Sequence, residues 1–126
     1  MNSNVTGIHK VYHIDTNNIL EEVFILNGIR EGICKRYYKC GCLMALCNYV
    51  NGKLNGEYKT FYNTCKKYNN EGNNISCICY YIDDKKNGLY QTFYNTGQKW
   101  KIINYIDGEI VGEYKSYARN GNLQLQ

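Results

Sequence analysis

N-G-K-L-N-G-E-Y-K-T-F-Y-N-T, residues Asn51 to Thr64, is the stretch whose reading decides the fold. It returns as N-G-L-Y-Q-T-F-Y-N-T at Asn87 to Thr96 and as D-G-E-I-V-G-E-Y-K-S-Y-A-R-N-G at Asp107 to Gly121. A weaker copy, N-G-I-R-E-G-I-C-K-R-Y-Y-K-C-G, covers Asn27 to Gly41. Self-similarity at a fixed period marks a repeat architecture. The second glycine of each copy serves as a marker: Gly32, Gly56, Gly88 and Gly112 are separated by 24, 32 and 24 residues. Gly7 stands 25 residues before Gly32, and G-I-H-K-V-Y-H aligns there with G-E-Y-K-T-F-Y. His9 and His13 then occupy tyrosine slots. The chain reads as about five units over residues 7–126, preceded by a disordered N-terminus over 1–6.

Each unit reads as a β-hairpin. A strand follows the marker glycine, as in Gly88 to Tyr94, and a turn follows at N-T-G or R-N-G. A second strand then returns, as in Gln98 to Ile106. The next unit begins at Asn27-Gly28, Asn51-Gly52, Asp83-Asp84 or Asp107-Gly108. Asn-Gly and Asp-Gly between apolar runs suit turns whose two central residues need positive φ. Asp84 stands where the other units have glycine, so its turn is expected to be less comfortable. Asn18 to Phe24 looks helical, but its place in the repeat matches the strand at Gln98 to Asn104, and the repeat decides for strand. The expected repeat-turn glycines are Gly28, Gly32, Gly52, Gly56, Gly88, Gly97, Gly108, Gly112 and Gly121. The expected fold is all-β: antiparallel hairpins stacked into one elongated, twisted sheet.

The longer interval places eight extra residues between Lys66 and Ser76. They form either a loop after Cys65, which replaces a turn glycine, or a longer hairpin that turns at Gly72. The chain closes on Leu123 to Gln126, partway into a returning strand. That edge would leave backbone groups unpaired, so self-association there is an expectation.

Fourteen tyrosines, twelve glycines and no proline fit strands and positive-φ turns. The excess of Asn, Lys, Tyr and Ile is what an AT-rich genome produces. No apolar run approaches the about 18 residues of a membrane span. Met1 to Thr6 is polar, without the apolar core of a signal peptide, so the expected location is cytoplasmic. Seven cysteines, an odd number, argue against a secreted disulfide framework and for reduced thiols. The net charge of +4 is mild and interspersed, unlike the basic stripe of a dedicated nucleic-acid binder.

No catalytic constellation stands out. There is no P-loop, G-x-S-x-G, H-E-x-x-H or G-x-G-x-x-G. Glu21 and Glu22 are adjacent and point to opposite faces of a strand. His9 and His13, four apart on a strand, lie too far apart to chelate one metal and read as packing residues. Cys40-x-Cys42, Cys77-x-Cys79 and Cys47 invite a zinc site. Cys47 and Cys79 share a repeat slot with Ile103, however, which favours buried thiols over ligands. No catalytic, cofactor or metal residue is therefore assigned.

The pattern Y-x-N-G-K-L-x-G-E-Y-K-x-F/Y-Y resembles the MORN repeat, in the variant form of bacterial antitoxin-like and giant-virus proteins. Tyr49 to Tyr62, Tyr81 to Gly97 and Tyr105 to Gly121 carry the resemblance, which covers about Gly7 to Leu123. It implies stacked hairpins in an elongated sheet, protein–protein scaffolding, and for longer forms membrane-lipid association. Cys34 in the Tyr58 slot, Cys65 and Asp84 in glycine slots, and the insertion depart from the pattern.

Stacking aligns Tyr58, Tyr90 and Tyr114 as one aromatic ladder, and Phe61, Phe93 and Tyr117 as another on the opposite face. These six residues, with Lys59 and Lys115, form the candidate interaction surface. Lys53, Lys59, Lys99 and Lys115 recur among tyrosines. That arrangement suits single-stranded nucleic acid in principle, but lysines that blunt sheet aggregation are the simpler reading. The expected function is a non-enzymatic module for protein–protein contact, its partner a protein of unspecified identity. An antitoxin-like binder is the first alternative. Lipid or nucleic-acid association through the Lys/Tyr face is the second.

Overall fold

Alternating side chains with Gly- and Asn-rich punctuation every dozen residues can bury only one face per strand, so each hairpin must stack on the next. A computed structural model of the chain describes residues 5–63 and 74–125. Residues 1–4 of the expected N-terminal coil, Cys65, Gly72 and residues 66–73 of the insertion lie outside the described residues.

The strands are β1 (Gly7–Tyr12), β2 (Ile19–Leu26), β3 (Ile29–Tyr37), β4 (Leu43–Val50), β5 (Lys53–Leu54) and β6 (Gly56–Phe61). They continue as β7 (Ile75–Ile82), β8 (Lys85–Lys86), β9 (Gly88–Phe93), β10 (Lys99–Ile106), β11 (Glu109–Tyr117) and β12 (Leu123–Leu125). All join one antiparallel sheet in the order β1-β2-β3-β4-β6-β7-β9-β10-β11-β12, with β5 on β4 and β8 on β7. The expected all-β meander is the observed fold. The helix-like Asn18 to Phe24 enters β2, as its place in the repeat requires.

Two turn types alternate. At Asn27-Gly28, Asn51-Gly52 and Asp107-Gly108 both residues have positive φ, as a type I′ turn demands. Asp83 and Asp84 adopt the same pair of conformations, with φ of 49° and 69°. Their carboxylates compensate: Asp84 Oδ1 accepts Leu54 N–H at 2.7 Å, and Asp83 Oδ1 accepts from Asn55 Nδ2 at 3.3 Å. At the other end, Tyr94 N–H donates to Gln98 C=O and Gly97 N–H to Tyr94 C=O, both at 2.9 Å. Gly41 and Gly121 close equivalent turns.

The marker glycines are not turn residues. Gly32 and Gly112 lie inside β3 and β11, and Gly56 and Gly88 open β6 and β9 one residue after β5 and β8. All four have positive φ, between 74° and 102°. Glycine in that conformation bends a strand into a bulge, so these residues kink each unit rather than reverse it.

The insertion leaves the sheet untouched. Tyr62 N–H donates to Asn74 C=O at 2.8 Å, the bond that closes the shorter turns. Phe61 faces Ile75 as Phe93 faces Lys99. Among the described residues β6 and β7 are no longer than β9 and β10, and the choice between a loop after Cys65 and a turn at Gly72 lies outside them.

Facing residues on neighbouring strands project to one side. His9, Val23, Cys34 and Cys47 face one another in succession across β1 to β4. Leu46 facing Lys59 sets Cys47 beside Tyr58, which itself faces Cys79. This row is the core: Val23, Cys34, Ala45, Cys47 and Cys79 are buried, and Ile25, Tyr49, Leu54 and Tyr58 pack against the Val23–Cys34–Cys47 cluster. A single layer covers little. The accessible surface is 7978 Å² for 14.7 kDa, against about 6,900 Å² for a compact monomer of that mass.

Candidate functional site

The register divides the expected surface residues between two faces. Tyr58, Tyr90 and Tyr114 fall on the core side. Tyr58 and Tyr90 are half-buried, with Tyr58 packed on Tyr81 at 5.5 Å and Tyr90 on Tyr105 at 5.7 Å between ring centroids. Lys86 Nζ sits over both rings of the second pair, at 4.8 and 5.1 Å. Tyr114, at 36% exposure, ends that side of the sheet. Lys59 and Lys115 lie on the opposite face, and alternation along β6 and β9 puts Phe61 and Phe93 there too, half-buried at the strand ends.

Sequence reasoning missed the tyrosines next to that second ladder. Tyr38 OH donates to Phe61 C=O, Tyr62 OH to Phe93 C=O and Tyr94 OH to Tyr117 C=O. His13 Nε2 stands 3.1 Å from Tyr37 C=O in the same slot of the first unit. Each unit is thereby stitched to the next by one side chain. Ala118 fills the slot in the last unit and has no hydroxyl to donate. At the other end of the strands the turn amides do the same work: Gly28, Gly52, Asp84 and Gly108 N–H reach Val5, Arg30, Leu54 and Lys86 C=O at 2.8 to 3.0 Å.

The core side holds the titratable groups. Glu21 accepts from Arg30 and from Cys34 Sγ, the latter at 3.4 Å. Burial works to raise the Glu21 carboxyl, but these two hydrogen bonds outweigh it and hold it below its usual range. The hydrogen bond from Cys79 pulls the Cys77 thiol down to about 7, and sharing it drives Cys79 upward. Burial pushes Tyr90 up to about 12. Thr92 Oγ1 is buried without a partner. The equivalent Thr60 bonds Ser76 Oγ at 2.7 Å, and the matching residue beside Thr92 is Trp100, which stacks on Tyr94 instead.

The reading of all seven cysteines as reduced thiols is corrected at Cys40 and Cys42, which flank the chain reversal at Gly41 and are disulfide-bonded. Cys34, Cys47, Cys77 and Cys79 are free. Among the described residues no three His, Cys, Asp or Glu side chains converge on one point.

The opposite face carries two parallel rows. One runs Lys10–Glu22–Lys35–Leu46–Lys59–Ile78–Gln91–Ile102–Lys115, each residue facing the next across nine strands. Leu46, Ile78 and Ile102 are half-buried there, and lysine stems can lie over them with the amines in water. The second row is apolar and exposed: Ile8 at 63%, Phe24 at 38%, Ile33 at 54%, Tyr80 at 40% and Leu89 at 38%. Asn48, Glu57 and Asn104 interrupt it. A groove of about 420 Å³ opens between the rows, lined by Ile8, Phe24, Ile33, Glu22, Glu31 and Lys35. No helix among the described residues is long and apolar enough to cross a membrane. The chain matches no protein family, no curated protein and no solved structure.

Proposed function

We propose that the chain is a non-enzymatic β-repeat module, of the MORN-variant kind its sequence resembles, that docks a protein partner. The observation that carries this reading is the exposed apolar row on the face away from the core. The row is unbroken over Ile8, Phe24 and Ile33 and again over Tyr80 and Leu89, and exposed apolar side chains grouped in this way mark interaction sites. The docking surface is therefore the face of Lys59 and Lys115, with Ile8, Phe24, Ile33 and Leu89 as anchors. Tyr58 and Tyr90 serve the core. An antitoxin-like role is one form of such docking.

The lysine row favours a second reading, an anionic lipid or nucleic-acid surface. Glu22 within that row and Glu57 beside it weigh against a plain polyanion. Affinity capture from native lysate, at low and high salt and after nuclease, separates the two. Wild type is expected to retain one protein throughout, and a folded Ile33→Asp/Leu89→Asp variant to lose it. Retention only of lipid or nucleic acid that salt removes would overturn the protein reading.

A further inference from the structure

Resting on the docking face just proposed, we infer that its occupant is an amphipathic α-helix of a partner protein, apolar along one stripe and acidic along the adjoining flank. The helix lies across the strands, along the two rows.

The spacing carries the argument. Lys10, Lys35, Lys59, Gln91 and Lys115 occur on every second strand of the pairing order. At about 4.8 Å per strand, successive members stand about 9.6 Å apart. A helix presents equivalent side chains every seven residues, or about 10.5 Å. One acidic residue per heptad thus meets a lysine in four of the five units and the Gln91 amide in the other. An extended strand fails this test, because a step of about 9.6 Å is three residues and alternates faces.

The width agrees. The apolar and charged rows are two residues apart along each strand, about 6.7 Å. A helix about 10–12 Å across covers both at once. The groove between Ile8, Phe24 and Ile33 receives its apolar stripe.

The charges choose between partners. Lys10–Glu22–Lys35 alternates sign, and Glu57 pairs with Lys59 at 3.7 Å. A membrane or a nucleic acid offers only negative charge to this pattern. A protein helix can place a basic residue opposite Glu22 and acids opposite the lysines, which also fixes register.

The test is selection from a displayed library of helical peptides with a fixed aliphatic stripe and a flank randomised among Glu, Lys and Ser. Enrichment of Glu once per heptad is expected. So is a loss of affinity of about tenfold or more on Lys35→Glu/Lys59→Glu, with Lys101→Glu on the other face unchanged. Enrichment of basic or neutral flanks, or no enrichment, overturns the inference. So does charge-dependent binding of phosphatidylserine vesicles or a single-stranded oligonucleotide in place of the peptides. If the Ile33→Asp/Leu89→Asp variant still loses its lysate partner while no helix is selected, protein docking stands and the helix falls.

Discussion

Glu21 shows how much one strand position decides. Its neighbour Glu22 faces Lys10 and Lys35 on the outer face, while Glu21 turns to the core side and meets Arg30 and Cys34. The parity of adjacent acids was legible in the sequence. The Arg30 partnership was not, because β3 shifts register between the pairs Val23–Cys34 and Ile25–Arg30, and a bulge cannot be counted from residue spacing. The hydrogen bonds from Arg30 and Cys34 hold the carboxyl below the usual carboxylate range against the pull of burial. The ionised form is therefore the one that folding favours. Its contribution is complete above the unfolded value and is lost as pH falls through the folded one. Glu21→Gln is expected to cost about 1–2 kcal/mol at neutral pH, a charged hydrogen bond discounted for a half-exposed Arg30. It should also flatten the acid limb of stability. Urea melts of both proteins between about pH 7 and pH 3 check both effects.

Between elements, the tyrosine stitches matter more than the ladders read from the sequence. Tyr62 joins the β6 end of one unit to Phe93 at the β9 end of the next. Tyr62→Phe leaves the Phe93 carbonyl without that donor and is expected to cost about 1–2 kcal/mol in denaturant melts. Tyr114→Phe, at an exposed ring, should stay within about 0.5 kcal/mol. The recurrence of Tyr38, Tyr62 and Tyr94 was visible, yet their bond reaches a carbonyl 23 or 31 residues away. No local pattern reveals such a partner. The turns were more legible, since Asn-Gly states its own backbone requirement. Even there the second glycine of each unit bends a strand instead of closing a turn, which follows from pairing and not from composition.

Across the whole molecule, stability is uneven. Among the described residues the buried ones all lie between β2 and β7, whereas β11 is exposed along most of its length. Strand pairing joins only neighbours in the sheet and the tyrosine stitches reach no further than the next unit, so opening one end need not disturb the other. Hydrogen exchange is expected to be slowest in β3, β4 and β7 and fastest in β11 and β12. Uniform exchange across the sheet would show that the units unfold as one. The meander was readable because a hairpin repeat admits few arrangements. The division of labour between faces was not, because alternation gives two stripes and does not say which is covered.

The stitches recur at each junction, a tyrosine hydroxyl at three of them and the His13 ring at the first, always against a main-chain carbonyl of the next unit. Copy number thus becomes a free variable. Duplicating or excising one period adds or removes two strands, about 9.6 Å of sheet, without a new kind of bond. The length of the sheet can therefore change in whole increments while every remaining junction keeps its bonds.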